Sequence, residues 1–159
     1  MEAKRKIAST SAASRLGPYR PLLKLAGFHQ IETREATRWA SEVALEHHER
    51  PIGVYENTTR DGHDTILFTN RALYVQDGDS WSAVSYKDIS GVESPPVEDA
   101  EAKFEVDVLR LALKDGTRRE LRASAPQCQF PDLWPLLRFL KDIDRVVRWE
   151  ERRSQTKQP

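Results

Sequence analysis

Ile66-Leu67-Phe68-Thr69-Asn70-Arg71-Ala72-Leu73-Tyr74-Val75 is the stretch that decides the fold. Two apolar runs of strand-forming residues meet at a polar Thr-Asn-Arg corner, as two strands joined by a short connection would. Asp77-Gly78 follows, a tight-turn signal, because glycine accepts the positive φ that short hairpins need. Trp81 to Tyr86 reads as the next strand, and Asp88-Ile89 leads into a short one at Gly91-Val92-Glu93. The rhythm specifies a shape, and no reactive constellation lies within it.

Working outward, Ile52-Val54 begins an earlier strand, and the polar segment from Thr58 to Asp64 connects it to Thr65–Thr69. Downstream, Ser94-Pro95-Pro96 breaks the pattern and Val97 to Lys103 is an acidic loop. Glu105 to Leu113 is then a strand in which Leu109, Leu111 and Leu113 alternate with Arg110 and Ala112. Val106 and Val108 fall on the opposite parity, which calls for a bulge or a two-sided strand. Asp115-Gly116 turns the chain, and Arg118 to Ala123 returns as a hairpin partner.

Two helices flank the strands. Over Thr33 to His48, Ala36, Trp39, Ala40, Val43, Ala44 and His47 recur at spacings of three and four, one face of an amphipathic helix capped by Thr33. Near the C-terminus, Asp132 is the predicted N-cap, and Pro135 falls in the first turn, where a missing N–H costs little. Leu133, Leu136, Leu137, Leu140, Ile143, Val146 and Val147 make an apolar stripe wide enough to cover the open end or face of a sheet. Gly17-Pro18-Tyr19-Arg20-Pro21 is rigid and turn-prone, and Leu22, Leu23, Leu25 and Phe28 form a short apolar cluster that is expected to pack onto the domain.

Composition bounds the rest. The chain has 159 residues, 38% of them hydrophobic and 31% charged, which suits one domain with a modest core. Lys+Arg and Asp+Glu both number 25, so the formal charge is zero, which argues against strong non-specific attraction to nucleic acid or anionic lipid. A segregated patch is compatible with that total. One cysteine, Cys128, excludes an internal disulfide. Lys4-Arg5-Lys6 is not followed by an apolar h-region, and no run is long enough to span a bilayer, so a soluble cytoplasmic protein is expected.

The order of about seven strands and one helix resembles the pleckstrin-homology-like family. Leu67-Phe68-Thr69-Asn70-Arg71, Leu73-Tyr74-Val75, Trp81, Val84, Tyr86 and Asp88-Ile89-Ser90-Gly91-Val92 resemble the bacterial PH-like and GRAM-like domains, with their "TNxR" corner between two early strands. The resemblance covers roughly residues 50–148. It implies an α+β fold: a PH-like β-barrel or sandwich of antiparallel strands plugged by a C-terminal helix. Around it, residues 1–16 and 151–159 are expected to be flexible tails, 17–50 an N-terminal helical extension and 51–150 the PH-like domain. The family also implies a non-catalytic scaffold that binds phosphoinositide heads, peptides or protein surfaces. Phosphoinositide readers need clustered basic donors in the loop between the first two strands. Here that loop, Asn57 to Asp64, offers Arg60 against Asp61 and Asp64, which argues against such a ligand.

Each sharper chemical reading meets a plainer one. Adjacent His47 and His48 would point about 100° apart on a helix and do not suit one metal ion; His47 is expected on the helix's inner edge. Gly78-Asp79-Ser80 belongs to a hairpin turn rather than a nucleophile elbow. Neither Cys128 nor any P-loop pattern suggests catalysis, and no metal or cofactor is expected. The densest basic group in the folded part is Arg110, Lys114, Arg118, Arg119 and Arg122, read either as a solvated strand face with cross-strand ion pairs or as a seat for an acidic partner. Trp39 and Trp134 are expected in the core. Trp149, beyond the best part of the stripe, is a candidate interface anchor if exposed. The leading expectation is a protein-interaction module, with an accessory or immunity-type protein as one form of it. The alternative is peripheral membrane binding through Lys4-Arg5-Lys6 and Arg15, Arg20 and Lys24.

Overall fold

A computed structural model describes residues 16–31, 42–56, 65–93, 108–123 and 132–157. The alternating runs form eight strands: β1 (Phe28–Gln30), β2 (Pro51–Tyr55), β3 (Ile66–Thr69), β4 (Ala72–Asp77), β5 (Ser80–Ser85), β6 (Ile89–Glu93), β7 (Val108–Leu113) and β8 (Arg118–Arg122). They make two antiparallel sheets, ordered β1-β2-β3-β4-β5 and β6-β7-β8. A 3-10 helix, Gly17–Lys24, precedes β1, and a short 3-10 turn, Tyr86–Asp88, joins the sheets. Two helices end the fold, α1 (Leu133–Lys141) and α2 (Ile143–Thr156). The α+β expectation therefore holds. Among the described residues no strand pairing links the two sheets.

The predicted hairpins form where turn chemistry allows. Asp77 pairs with Ser80 across Gly78-Asp79, and Gly78 takes φ of 61°. At the β7–β8 turn Asp115 Oδ1 accepts from the backbone N–H and hydroxyl of Thr117 at 2.8 and 2.6 Å. These bonds, led by the hydroxyl's, hold the Asp115 carboxyl below its ordinary pKa.

Four expectations require correction. The segment drawn as a helical extension also supplies a strand. Phe28, His29 and Gln30 pair with Tyr55, Val54 and Gly53, so β1 is an edge of the larger sheet. Gly53 makes this possible: a Cβ there would lie 2.2 Å from Phe28 Cζ. Second, the helix expected to run to His48 does not. Residues 43–50 are irregular with a turn at His47-His48, and both histidines are exposed; residues 32–41 lie outside the described set. Just beyond, Glu49 bonds through its side chain to Thr69 of β3 and Tyr74 of β4. Third, the C-terminal stripe belongs to two helices with a break at Asp142, not one. Fourth, the tail expected from residue 151 is helical to Thr156.

Asp132 is also placed differently. It makes no side-chain cap to its own helix. Its carboxylate instead accepts from the backbone N–H groups of Ala26 at 2.7 Å and Gly27 at 3.4 Å. Asp132 is buried, and these bonds tie the turn before β1 to the start of α1.

The main core lies between the sheets and under α1. Ile66, Phe68, Leu73 and Val84 from the larger sheet meet Leu109, Leu111 and Leu121 from the smaller one, with Leu133, Leu136, Phe139, Leu140 and Ile143 closing over them. Tyr19, Leu22 and Leu25 join from the N-terminal side. A 3-10 helix has three residues per turn, so positions three apart share a ridge; Tyr19 and Leu22 form the buried one. A smaller cluster covers the opposite face of the larger sheet: Val43, Val54 and Leu67, with Ile31, Leu45, Tyr74 and Trp81 packed against it. This second cover explains why all four residues of β3 are buried, where a one-sided strand would alternate.

Candidate functional site

The Thr69-Asn70-Arg71 corner is a structural joint. Thr69 Oγ1, fully buried, accepts the backbone N–H of Ala72 at 2.9 Å and of Arg71 at 3.2 Å. It donates to Glu49 Oε1 at 2.5 Å, a charge-assisted bond. Asn70 holds Arg50 twice: its Oδ1 accepts Arg50 N–H at 2.7 Å, and its own N–H donates to the Arg50 carbonyl at 3.0 Å. Tyr86 donates its hydroxyl to the Thr69 carbonyl at 2.8 Å. Tyr74 donates to Glu49 Oε2 at 2.7 Å. Arg50 and Tyr19 both reach Glu150 Oε1 on α2, each at 3.0 Å. The corner thus ties together the segment before β2, the sheet, α2 and the 3-10 helix.

Burial, ahead of neighbouring carboxylates, pushes the Tyr19, Tyr74 and Tyr86 hydroxyls above their ordinary pKa of 10.0. The sign follows directly. The folded state keeps these protons while the unfolded chain releases them above about pH 10, so this stabilisation is complete below pH 10 and lost as pH rises beyond it. Tyr19 and Tyr86, the deepest, are each expected to cost about 1.4 kcal/mol of stability per pH unit there. Urea midpoints between pH 9 and 12 check this; a flat profile contradicts it.

A cleft of about 690 Å³ beside the corner is lined by Glu46, Glu49, Tyr74 and, from α2, Glu150 and Glu151. Its charges are internally matched: Arg71 with Glu46 at 3.6 Å, Lys87 with Glu151 at 3.4 Å, and Arg50 with Glu150. Among the described residues no group of three His, Cys, Asp or Glu stands placed to hold a metal ion.

The predicted basic hairpin is divided by its own register. Arg110 faces Glu120 and pairs with it at 3.3 Å. Arg118 pairs with Glu93 of β6 at 3.6 Å. Strand alternation sends Arg119 to the other face, opposite the buried Leu111, away from Arg118 and Arg122. Lys114 sits in the exposed turn, its backbone N–H on the Asp88 carbonyl. Trp149 is not an exposed anchor. It is partly buried, its ring edge-on to Tyr19 at 6.1 Å, against Gly17, with Arg153 stacked 5.1 Å from its centroid. Trp134 is packed against the core; Trp39, Cys128 and the loop from Asn57 to Asp64 lie outside the described residues.

The stronger cationic feature is elsewhere. Arg20 and Lys24 of the 3-10 helix, Arg138 and Lys141 of α1, and Arg145, Arg148 and Arg152 of α2 line two adjoining depressions. Among the described residues the only carboxylates there are Asp142 and Asp144, so these residues together carry +5 in a chain whose total is zero. All seven cations are exposed, and none is in an ion pair among the described residues. Lys141, Arg145, Arg148 and Arg152 are spaced four, three and four, so Arg145, Arg148 and Arg152 share one side of α2. Glu150 and Glu151 face the cleft by the corner, so α2 separates an acidic side from a basic one.

No known family model and no curated protein matches this chain. Among solved structures, it is similar to a DUF1696 family protein with a pleckstrin-homology domain from Shewanella loihica PV-4. The two share 20% identity, the match covers 76% of this chain and 97% of that one, and the TM-score is 0.44. No helix among the described residues is long and apolar enough to cross a membrane.

Proposed function

We propose that this chain is a non-catalytic protein-interaction module on a pleckstrin-homology-like scaffold, working through the cationic face of α1, α2 and the 3-10 helix. The observation that carries the reading is the contrast between the two sides of α2. The carboxylates on the acidic side are matched by Arg50, Arg71 and Lys87, whereas the basic side of α2 and the α1 and 3-10 residues beside it together present seven exposed cations without ion-pair partners among the described residues. Like charges three and four apart on a helix cost about 0.2–0.5 kcal/mol per pair. Asp142 and Asp144 offset only part of that, and an acidic partner would offset the rest while steering association.

Peripheral membrane binding is the second reading, favoured by Leu23, which is 45% exposed between Arg20 and Lys24. Affinity capture on immobilised protein separates the two. Retention of an acidic protein at low salt, lost at about 1 M where the screening length falls to about 3 Å, is expected for the intact chain. Arg145→Glu/Arg148→Glu/Arg152→Glu should weaken it at least tenfold. Retention unchanged in that variant contradicts the reading, and salt-sensitive sedimentation with anionic vesicles in its place favours the membrane.

A further inference from the structure

Resting on that reading, the geometry points to the occupant of one part of the face. We propose that the groove between the 3-10 helix and the α1–α2 bend takes an extended acidic protein segment carrying one apolar side chain. The groove measures about 480 Å³. Pro18, Pro21, Leu23 and Pro135 supply its apolar walls, and Arg20, Lys24, Arg138 and Arg145 its charge, against Asp142 alone.

Three features select this occupant. Proline fixes φ, so walls built on Pro18, Pro21 and Pro135 are set before a ligand arrives, which lowers the ordering cost of binding. The three-residue period of the 3-10 helix turns Tyr19 and Leu22 inward and Arg20 and Leu23 outward together, so a cation and an apolar side chain share one exposed ridge. Leu23 is the one large apolar side chain that stands exposed among the described residues. A ligand complementary to that ridge carries carboxylates around an apolar group. The concavity favours a protein segment over a bilayer, whose surface is flat on this scale and would leave the groove unfilled. Arg145 to Arg152 spans about 10 Å of α2 at 1.5 Å per residue. About three residues of extended chain, at roughly 3.3 Å each, cover that row.

The probe is a fluorescent synthetic peptide of about eight Asp and Glu residues with a single central Leu, titrated by anisotropy against the full chain. Replacing that Leu by Ser in the peptide is expected to weaken binding about tenfold. Leu23→Ser in the protein should do the same, and the two changes together should cost little more than either alone. Arg20→Glu/Arg145→Glu should cost more than tenfold. All these side chains are exposed, and an unchanged thermal midpoint verifies folding of each variant. If the charge reversal weakens the peptide but neither Leu change does, the groove proposal is overturned while the cationic-face reading stands. If no peptide binds at low salt, both fall. Binding to anionic vesicles but not to the peptide overturns both in favour of the membrane.

Discussion

Phe139→Ala is expected to lower the stability of this protein by about 4 kcal/mol, within the range of 3–5 found for emptying a buried aromatic site. Phe139 is completely buried, and its ring is where separate parts of the chain meet. It lies edge-on to Phe68 of β3 at 5.6 Å and to Tyr86 of the inter-sheet turn at 6.1 Å, and 6.0 Å from Tyr19 of the 3-10 helix. Removing it opens a cavity bounded by separate elements of the fold, which limits collapse around it. At about 2–4 °C per kcal/mol for a chain of this size, the thermal midpoint should fall by roughly 8–16 °C. Phe139→Leu, which keeps most of the volume, should cost about 1–1.5 kcal/mol. Circular dichroism melts of both variants check the ordering; equal losses would mean that the ring itself, not the volume it fills, carries the effect.

Thr69→Val is the second large effect. The substitution preserves shape and removes one oxygen, but that oxygen serves Ala72 N–H, Arg71 N–H and Glu49 at once. A buried donor left without an acceptor costs about 1–3 kcal/mol. With one fully buried and one half-buried N–H orphaned, and Glu49 losing a bond, we expect about 3 kcal/mol. Thr69→Ser retains the hydroxyl and should cost less than about 1 kcal/mol, since only a methyl is lost. Urea titration of the pair distinguishes hydrogen bonding from packing. A serine variant as unstable as the valine one would mean that packing of the methyl counts for as much as the hydroxyl's bonds, which contradicts the expectation.

The parts of the fold legible in the sequence are those with strong local periodicity. β3 to β5 and the β7–β8 hairpin stand where alternation and the Asp-Gly pairs put them. β1 was not legible, because three residues, Phe28-His29-Gln30, carry no period, and their pairing depends on Gly53 yielding space more than twenty residues later. Phe139 stands three residues after Leu136 and four before Ile143, at stripe spacing; what local reading does not show is that Tyr19 and Tyr86 reach it from distant sequence. Asp132 has the chemistry of an N-cap, but the backbone of Ala26 and Gly27 captures its carboxylate, a tertiary competitor invisible to local reading.

The site was harder for a related reason. Arg118-Arg119 looks dense in one dimension, yet strand alternation divides it and Glu93 and Glu120 occupy its neighbours. Arg145, Arg148 and Arg152 are interspersed with apolar and acidic residues in the sequence, yet helical spacing gathers them on one side. Arg20 and Lys24 then join them only because the 3-10 helix packs beside α1 and α2.

The most direct measurement is an amide-resolved titration of the isotopically labelled chain with polyglutamate at low salt. We expect chemical-shift changes at Arg20–Lys24 and along Arg138–Arg152, reversed by salt. Changes concentrated on the Arg110–Arg122 hairpin, or none at all, would contradict it.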